Sequence, residues 1–197
     1  MECKAGNPVN LLDGDDINPI IHAYFEFNHL KQLYRRGWLK SGIPRERCET
    51  VAEHSLGVAV LACWLAEAHY PDLDFYRVIR MALIHDFGEI YAGDIIPEDG
   101  IPSQEKHDLE SRSVQQVFKG FPNAKEYTAL WQEFEAGITA EARFVRQVDR
   151  LEMALQASVY ERQGYPDLDE FFKTVDRDLL DTQLRSLLRE ILDLRVE

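Results

Sequence analysis

Apolar residues recur at helical spacing along most of the chain, and no stretch sustains the alternation of apolar and polar side chains that a half-buried strand needs. The clearest case is Val51, His54, Val58, Leu61 and Leu65. They follow the i, i+3, i+7, i+10, i+14 rhythm of one helical face, and Pro71 stops them. His54 therefore points inward. Similar reasoning places a helix over 19–35, where Pro19 suits a first turn, and another over 75–85, with Val78, Ala82 and His85 on one stripe and a stop near Gly88 or Gly93. Further helices are expected over 104–118, 124–136, 140–162 and 178–194. The segment 95–102, with two prolines and a glycine, must be a loop. The expectation is an all-α fold: a polar, flexible leader over 1–18 that carries Asp13, Asp15 and Asp16, then one domain over 19–197. The aromatic residues Phe118, Phe121, Tyr127, Trp131 and Phe134 belong to its core or to an interface, core packing being the commoner use.

Charge and cysteine usage narrow the function classes. With 22 Lys and Arg against 35 Asp and Glu, the net charge of −13 argues against binding a nucleic-acid polymer, because phosphate backbones need clustered cations. The longest apolar run, 58–66, is well short of the roughly 20 residues of a bilayer span, so no membrane partner is expected. The N-terminus lacks the basic flank and apolar stretch of a signal peptide. Cys3, Cys48 and Cys63 are widely spaced and odd in number, which fits a reducing cytoplasm better than a disulfide framework. The charge is also uneven. Within 31–47, six basic side chains (Lys31, Arg35, Arg36, Lys40, Arg45, Arg47) face Glu46 alone, and Gly37, Gly42 and Pro44 make the window a loop that presents them.

Five places along this apolar frame carry chemistry: His54, the pair His85-Asp86, Glu89, Asp94 and Asp149. Each alone has a bland explanation, such as a satisfied core histidine or a surface carboxylate. Together, several imidazoles and carboxylates on core-facing helices are costly unless paired, hydrogen-bonded or bound to a metal. Two His and two Asp make a mixed nitrogen and oxygen shell for one divalent cation. The two imidazoles favour a transition metal over calcium.

The order His, then His-Asp about thirty residues on, then Asp about sixty further, resembles the metal motif of the HD-domain phosphohydrolases. The strings Glu53-His54-Ser55, His85-Asp86-Phe87-Gly88-Glu89-Ile90-Tyr91-Ala92-Gly93-Asp94 and Gln147-Val148-Asp149 are similar to those of the HD-domain 5′-deoxynucleotidases. The resemblance implies a single HD-domain helical bundle and a homodimer. It also implies hydrolysis of deoxynucleoside 5′-monophosphates with one divalent cation (Co, Mn, Fe or Zn, with Mg the other option). Carried over by position, His54, His85, Asp86 and Asp149 are the metal ligands and Glu89 is the catalytic carboxylate. Asp94, Ile95, Ile96 and Pro97 form the loop that meets the nucleotide. Arg36 and Trp38 are implied to orient the phosphate and pack on the substrate, although Gly37 separates them and Trp38 lies sixteen residues before His54. Arg35, Lys40 or Arg45 are the other candidates for the phosphate, and Lys106 is a weaker one. The rival readings are another HD-type reaction (on a triphosphate, cyclic dinucleotide or alarmone) and a metal-binding regulatory module that holds a nucleotide without hydrolysing it. The chain has no extra His-rich ligand set for a binuclear centre, since His22, His29, His69 and His107 lie outside the motif strings.

Overall fold

A computed structural model of the chain describes residues 2–13, 16–165 and 167–195; Asp15 of the acidic leader and Pro166 lie outside them. Ten α-helices occur among these residues: α1 (Pro19–Phe27), α2 (Arg36–Lys40), α3 (Val51–His69), α4 (Phe75–Ile84), α5 (Glu89–Ala92), α6 (Ser103–Val117), α7 (Ala124–Ala136), α8 (Ala140–Arg162), α9 (Asp169–Asp178) and α10 (Thr182–Asp193). No strand forms among them, only isolated bridges between Cys3 and Leu33 and between Tyr34 and Thr50.

The axis of the bundle is α3. Its start is fixed by a capping box, in which the Thr50 hydroxyl accepts from the Glu53 amide and the Glu53 carboxylate accepts from the Thr50 amide at 2.7 Å. By length and mean hydropathy, 1.3 over its apolar window, α3 is long and apolar enough to cross a bilayer. Here it is a core helix instead. It packs against α4 and α8, and Val51, Val58, Ala62 and Leu65 are buried with His54 on that face. α7 closes the other side of α4 and α8, while α9 and α10 lie along α8. The aromatic set resolves as core, with Phe118, Trp131 and Phe134 buried and Phe118 stacked on Tyr127.

Several boundaries differ from expectation. The helix expected over 19–35 ends at Phe27, because the Asn28 side chain closes the last turn on the Tyr24 carbonyl. Beyond it, Leu33 and Tyr34 pair with the chain on both sides. The leader is correspondingly not frayed over residues 2–4. Lys4 donates to the Gln32 carbonyl at 2.7 Å, Tyr34 donates to Glu2 at 3.1 Å, and Glu2 pairs with Arg45. The basic window is not all loop, since α2 forms inside it. The last expected helix, 178–194, starts at Thr182 with Asp181 as its cap, and an unexpected helix, α9, precedes it and ends at Asp178.

Candidate metal centre and substrate cleft

The helical face expected for 75–85 runs out at Ile84, and residues His85–Gly88 tighten into a 3₁₀ turn before α5. Glu89 is therefore not one α-helical turn after His85. Its placement comes from α6, which crosses so close that a Cβ on Gly88 would lie 2.6 Å from the Glu110 Cβ and 3.2 Å from its Cα. Only glycine fits there. The Trp131 indole donates to the His85 carbonyl at 3.0 Å and anchors the turn from the α7 side.

The turn places His85 and Asp86 opposite His54 of α3 and Asp149 of α8. His54 Nε2 lies 3.2 Å from an Asp149 oxygen and 3.7 Å from Asp86, and His85 Nε2 lies 3.2 Å from Asp86. Ligand atoms of His54, His85 and Asp149 all fall within 4.8 Å of one another. Both imidazoles are oriented from behind. His54 Nδ1 donates to Glu152 at 2.7 Å, and His85 Nδ1 donates to the Ala82 carbonyl at 2.7 Å. A carbonyl has no proton to give, so His85 must keep its hydrogen on Nδ1 and turn the Nε2 lone pair inward. That is the tautomer a metal ligand needs.

The electrostatics of the cluster fit a cation at these ligands. Among the described residues, His85 Nε2, Asp86 Oδ2 and Glu89 Oε2 are buried without a hydrogen-bond partner. Burial works against charge on both histidines, yet Asp149 and Glu152 raise His54 well above the usual imidazole range, and Asp86 raises His85. Asp86 resists its own burial and is held at about 2 by His85, and Asp149 is held low by His54. A proton is what these rings collect when nothing else neutralises the carboxylates, and proton and metal compete for one lone pair. The donor set thus fits a divalent ion of borderline softness.

Glu89 is buried beside this cluster. Burial first, then the charges of Asp86 and Asp94, push its carboxyl well above the ordinary carboxylate range. Arg35 supplies the positive charge of the cleft. Its side chain is only 17% exposed, lies 3.6 Å from Asp94, and is held protonated against burial by Asp94, Asp86, Glu89 and Glu49. Lys106 of α6 is also near enough to feel Glu89 and Asp86, and pairs with Glu110 at 3.5 Å. Asp94 and Ile96 are buried, Ile95 is half-buried and Pro97 is exposed.

Two expected residues are placed elsewhere. Trp38 is 1% exposed, stacked on Phe171 at 3.9 Å, with its indole donating to Glu49. It is a core residue, with no free face for a nucleotide. Arg36 does not enter the cleft, because its guanidinium is engaged by Asp99 and by the Asp94 carbonyl. Gln147, from the third motif string, is half-buried and turned to the junction of α9 and α10, where it accepts from the Leu180 and Asp181 amides and donates to the Asp178 carbonyl. Glu152, by contrast, was legible only as a residue three positions after Asp149, on the same helical face.

This geometry is that of a helical metal-dependent phosphohydrolase site. The model of the HD domain matches residues 27–187, and the chain belongs to the HD-domain family. It is 35% identical to the 5′-deoxynucleotidase HDDC2 of Bos taurus over 159 residues, spanning 80% of this chain and 75% of that one. The corresponding human protein is 40% identical over 134 residues, 67% of this chain and 63% of its own length. Among solved structures, a conserved hypothetical protein from Pyrococcus furiosus superposes with a TM-score of 0.74 at 30% identity, over 88% of this chain and 99% of that one. A predicted metal-dependent phosphohydrolase from Magnetospirillum magnetotacticum MS-1 gives 0.67 at 31%, over 89% and 90%.

Proposed function

We propose that the chain hydrolyses deoxynucleoside 5′-monophosphates to a deoxynucleoside and phosphate. The observation that carries this reading is the convergence of the buried His54 and His85 with the part-buried Asp86 and Asp149, unpartnered polar atoms among them, with Glu89 and Arg35 at the same cleft. Relatives named 5′-deoxynucleotidase, at 30% identity and above over most of the chain, support the substrate class. His54, His85, Asp86 and Asp149 would hold one divalent cation, a transition metal by the chemistry of the two imidazoles. When bound, such an ion supplies Lewis acidity toward water and toward a phosphate oxygen.

The chain's own groups do the rest. Arg35, always charged and forked, holds the phosphate. Hydrolysis forms a bond from water to phosphorus and breaks the bond from phosphorus to the 5′ oxygen. One proton leaves the water and one must reach the departing sugar. Glu89, buried beside the proposed ligands, takes the first and returns the second. Asp94 accepts from a sugar hydroxyl, and Ile95, Ile96 and Pro97 wall the nucleotide. The deciding measurement is phosphate release from deoxy- and ribonucleoside mono- and triphosphates with Co, Mn, Fe, Zn and Mg in turn. Turnover of deoxynucleoside monophosphates is expected. Saturating metal with no release from any of them would leave a binding module instead.

A homodimer is part of the same reading. Leu56, Val60 and Trp64 lie at i, i+4 and i+8 on the face of α3 that the bundle leaves open, 59%, 36% and 65% exposed. Trp64→Glu is expected to give a monomer by light scattering where the parent is a dimer. The free thiols Cys3, Cys48 and Cys63 support a cytoplasmic location.

A further inference from the structure

The loop after α5 is bracketed by two residues with positive φ, Gly93 at 78° and Gly100 at 67°. Between them the chain makes one 3₁₀ turn, Pro97–Asp99, and few other backbone bonds. What fixes it is a set of contacts converging on a single arginine outside the cleft. The Arg36 amide donates to Asp94 Oδ2, and Arg36 Nη1 donates to the Asp94 carbonyl at 3.0 Å. Nη1 and Nη2 also grip both oxygens of Asp99, at 2.5 and 2.7 Å, and Asp99 in turn accepts from the Ile96 amide at 3.2 Å. One bidentate pair thus ties the start, middle and end of the segment that walls the proposed nucleotide site to the N-terminus of α2. Arg35, the adjacent residue, faces the other way, toward Asp94 Oδ1 and the metal ligands.

We propose that Arg36 and Asp99 are a positioning pair that sets the sugar-reading loop, so that the basic window divides its labour: Arg35 meets the phosphate and Arg36 latches Asp94 to Asp99. The inference rests on the deoxynucleotidase reading above and names two residues that determine its specificity. An isolated exposed ion pair is worth little. This one is forked, only 21% and 22% exposed, and joined to three backbone contacts, so its loss frees a loop rather than one bond.

The test is a double-mutant cycle on Arg36→Ala and Asp99→Asn, read by kinetics and by amide hydrogen exchange at Ile96. Each single change is expected to raise KM for a deoxynucleoside monophosphate by about tenfold or more, with a smaller fall in kcat and a reduced preference for deoxy over ribo substrates. The double variant should be no worse than either single one. Exchange at Ile96 should accelerate in all three. Asp99→Glu should recover much of the loss, while Arg36→Lys, which cannot fork, should not. If Arg36→Ala is far more damaging than Asp99→Asn and their effects add, Arg36 binds substrate directly and the latch is wrong. Wild-type KM and unchanged Ile96 exchange in Asp99→Asn would also overturn it. Should the parent release no phosphate, the activity reading fails on its own, and the Ile96 exchange still decides whether the pair holds the loop.

Discussion

The floor and the rim of the cleft are built on opposite principles. At the floor, His54, His85, Asp86 and Asp149 come from two long helices and one anchored turn, and the two rings are oriented from behind by Glu152 and the Ala82 carbonyl. Each of those supports is buried, so the positions of the donor atoms are set before any ligand arrives. At the rim, Asp94 and its followers sit on a short loop between two glycines, held by side chains that are part solvated. The difference separates chemistry from selection. On the proposed reading, a floor that must present a fixed donor set tolerates no slack, whereas a rim that reads a sugar can be tuned through one ion pair without disturbing the ligands.

The sharpest way to break that division is at Glu89, which is buried like the floor but carries no ligand role in the proposed mechanism. Glu89→Gln keeps the shape and removes the proton acceptor. Turnover should fall by about 10²- to 10⁴-fold. Metal content, measured on the same sample, should stay at the parent level, whereas His85→Ala or Asp149→Ala should lose metal and activity together. If Glu89→Gln also lost its metal, Glu89 would belong with the ligands, and the proton would have to move through another group.

The same division explains what could be read from the chain alone. His54, His85, Asp86 and Asp149 stand on apolar stripes, where an ionisable side chain is conspicuous because burial makes it expensive. The all-helical fold was legible for the same reason, since periodicity reports burial. The rim offers no such signal. Arg35 and Arg36 are adjacent in a polar segment, and which one enters the cleft depends on the backbone at α2, where Arg35 is extended and Arg36 begins the helix. Trp38 looked like a stacking surface, but the ring that stacks on it is Phe171, 133 positions away on α9, a helix whose sparse apolar pattern hid it. Gly88 shows a third limit. Its closeness to α6 moves Glu89 into place after the α-helix has ended, and nothing local announces a tertiary contact.

Glu152 tests whether the floor depends on its outer layer. It accepts the Nδ1 hydrogen of His54, and a Cβ on Gly57 would lie 2.5 Å from its Oε1, so the carboxylate is wedged between α3 and α8. Glu152→Ala leaves every proposed ligand in place while freeing the ring to turn or change tautomer. Metal affinity should weaken by about 10- to 100-fold by titration calorimetry. The loss should exceed that of the rim variant Asp99→Asn, for which no change in metal affinity is expected. Equal metal affinity in Glu152→Ala and the parent would mean that backbone packing alone orients His54.

The smallest expected effect concerns the wall between floor and rim. Glu110 of α6 packs over Gly88, and burial pushes its carboxyl from the ordinary 4.5 to about 7 despite the neighbouring Lys106. A carboxyl with a raised folded-state pKa does no harm below pH 4.5, where folded and unfolded chains are both protonated. As pH climbs from 4.5 to 7 the unfolded chain ionises first, so stability is lost across that window and the loss is complete above it. Glu110→Gln removes the penalty while keeping the shape. Against the parent it should therefore be more stable at pH 8 by on the order of 3 kcal/mol, and nearly equal at pH 4, by chemical denaturation of both proteins at each pH. Because the parent and variant share every other titrating group, their difference isolates Glu110. A gain of equal size at both pH values would locate the effect in packing against Gly88 instead, and α6 would then hold Glu89 by shape alone, with no electrostatic cost at the crossing.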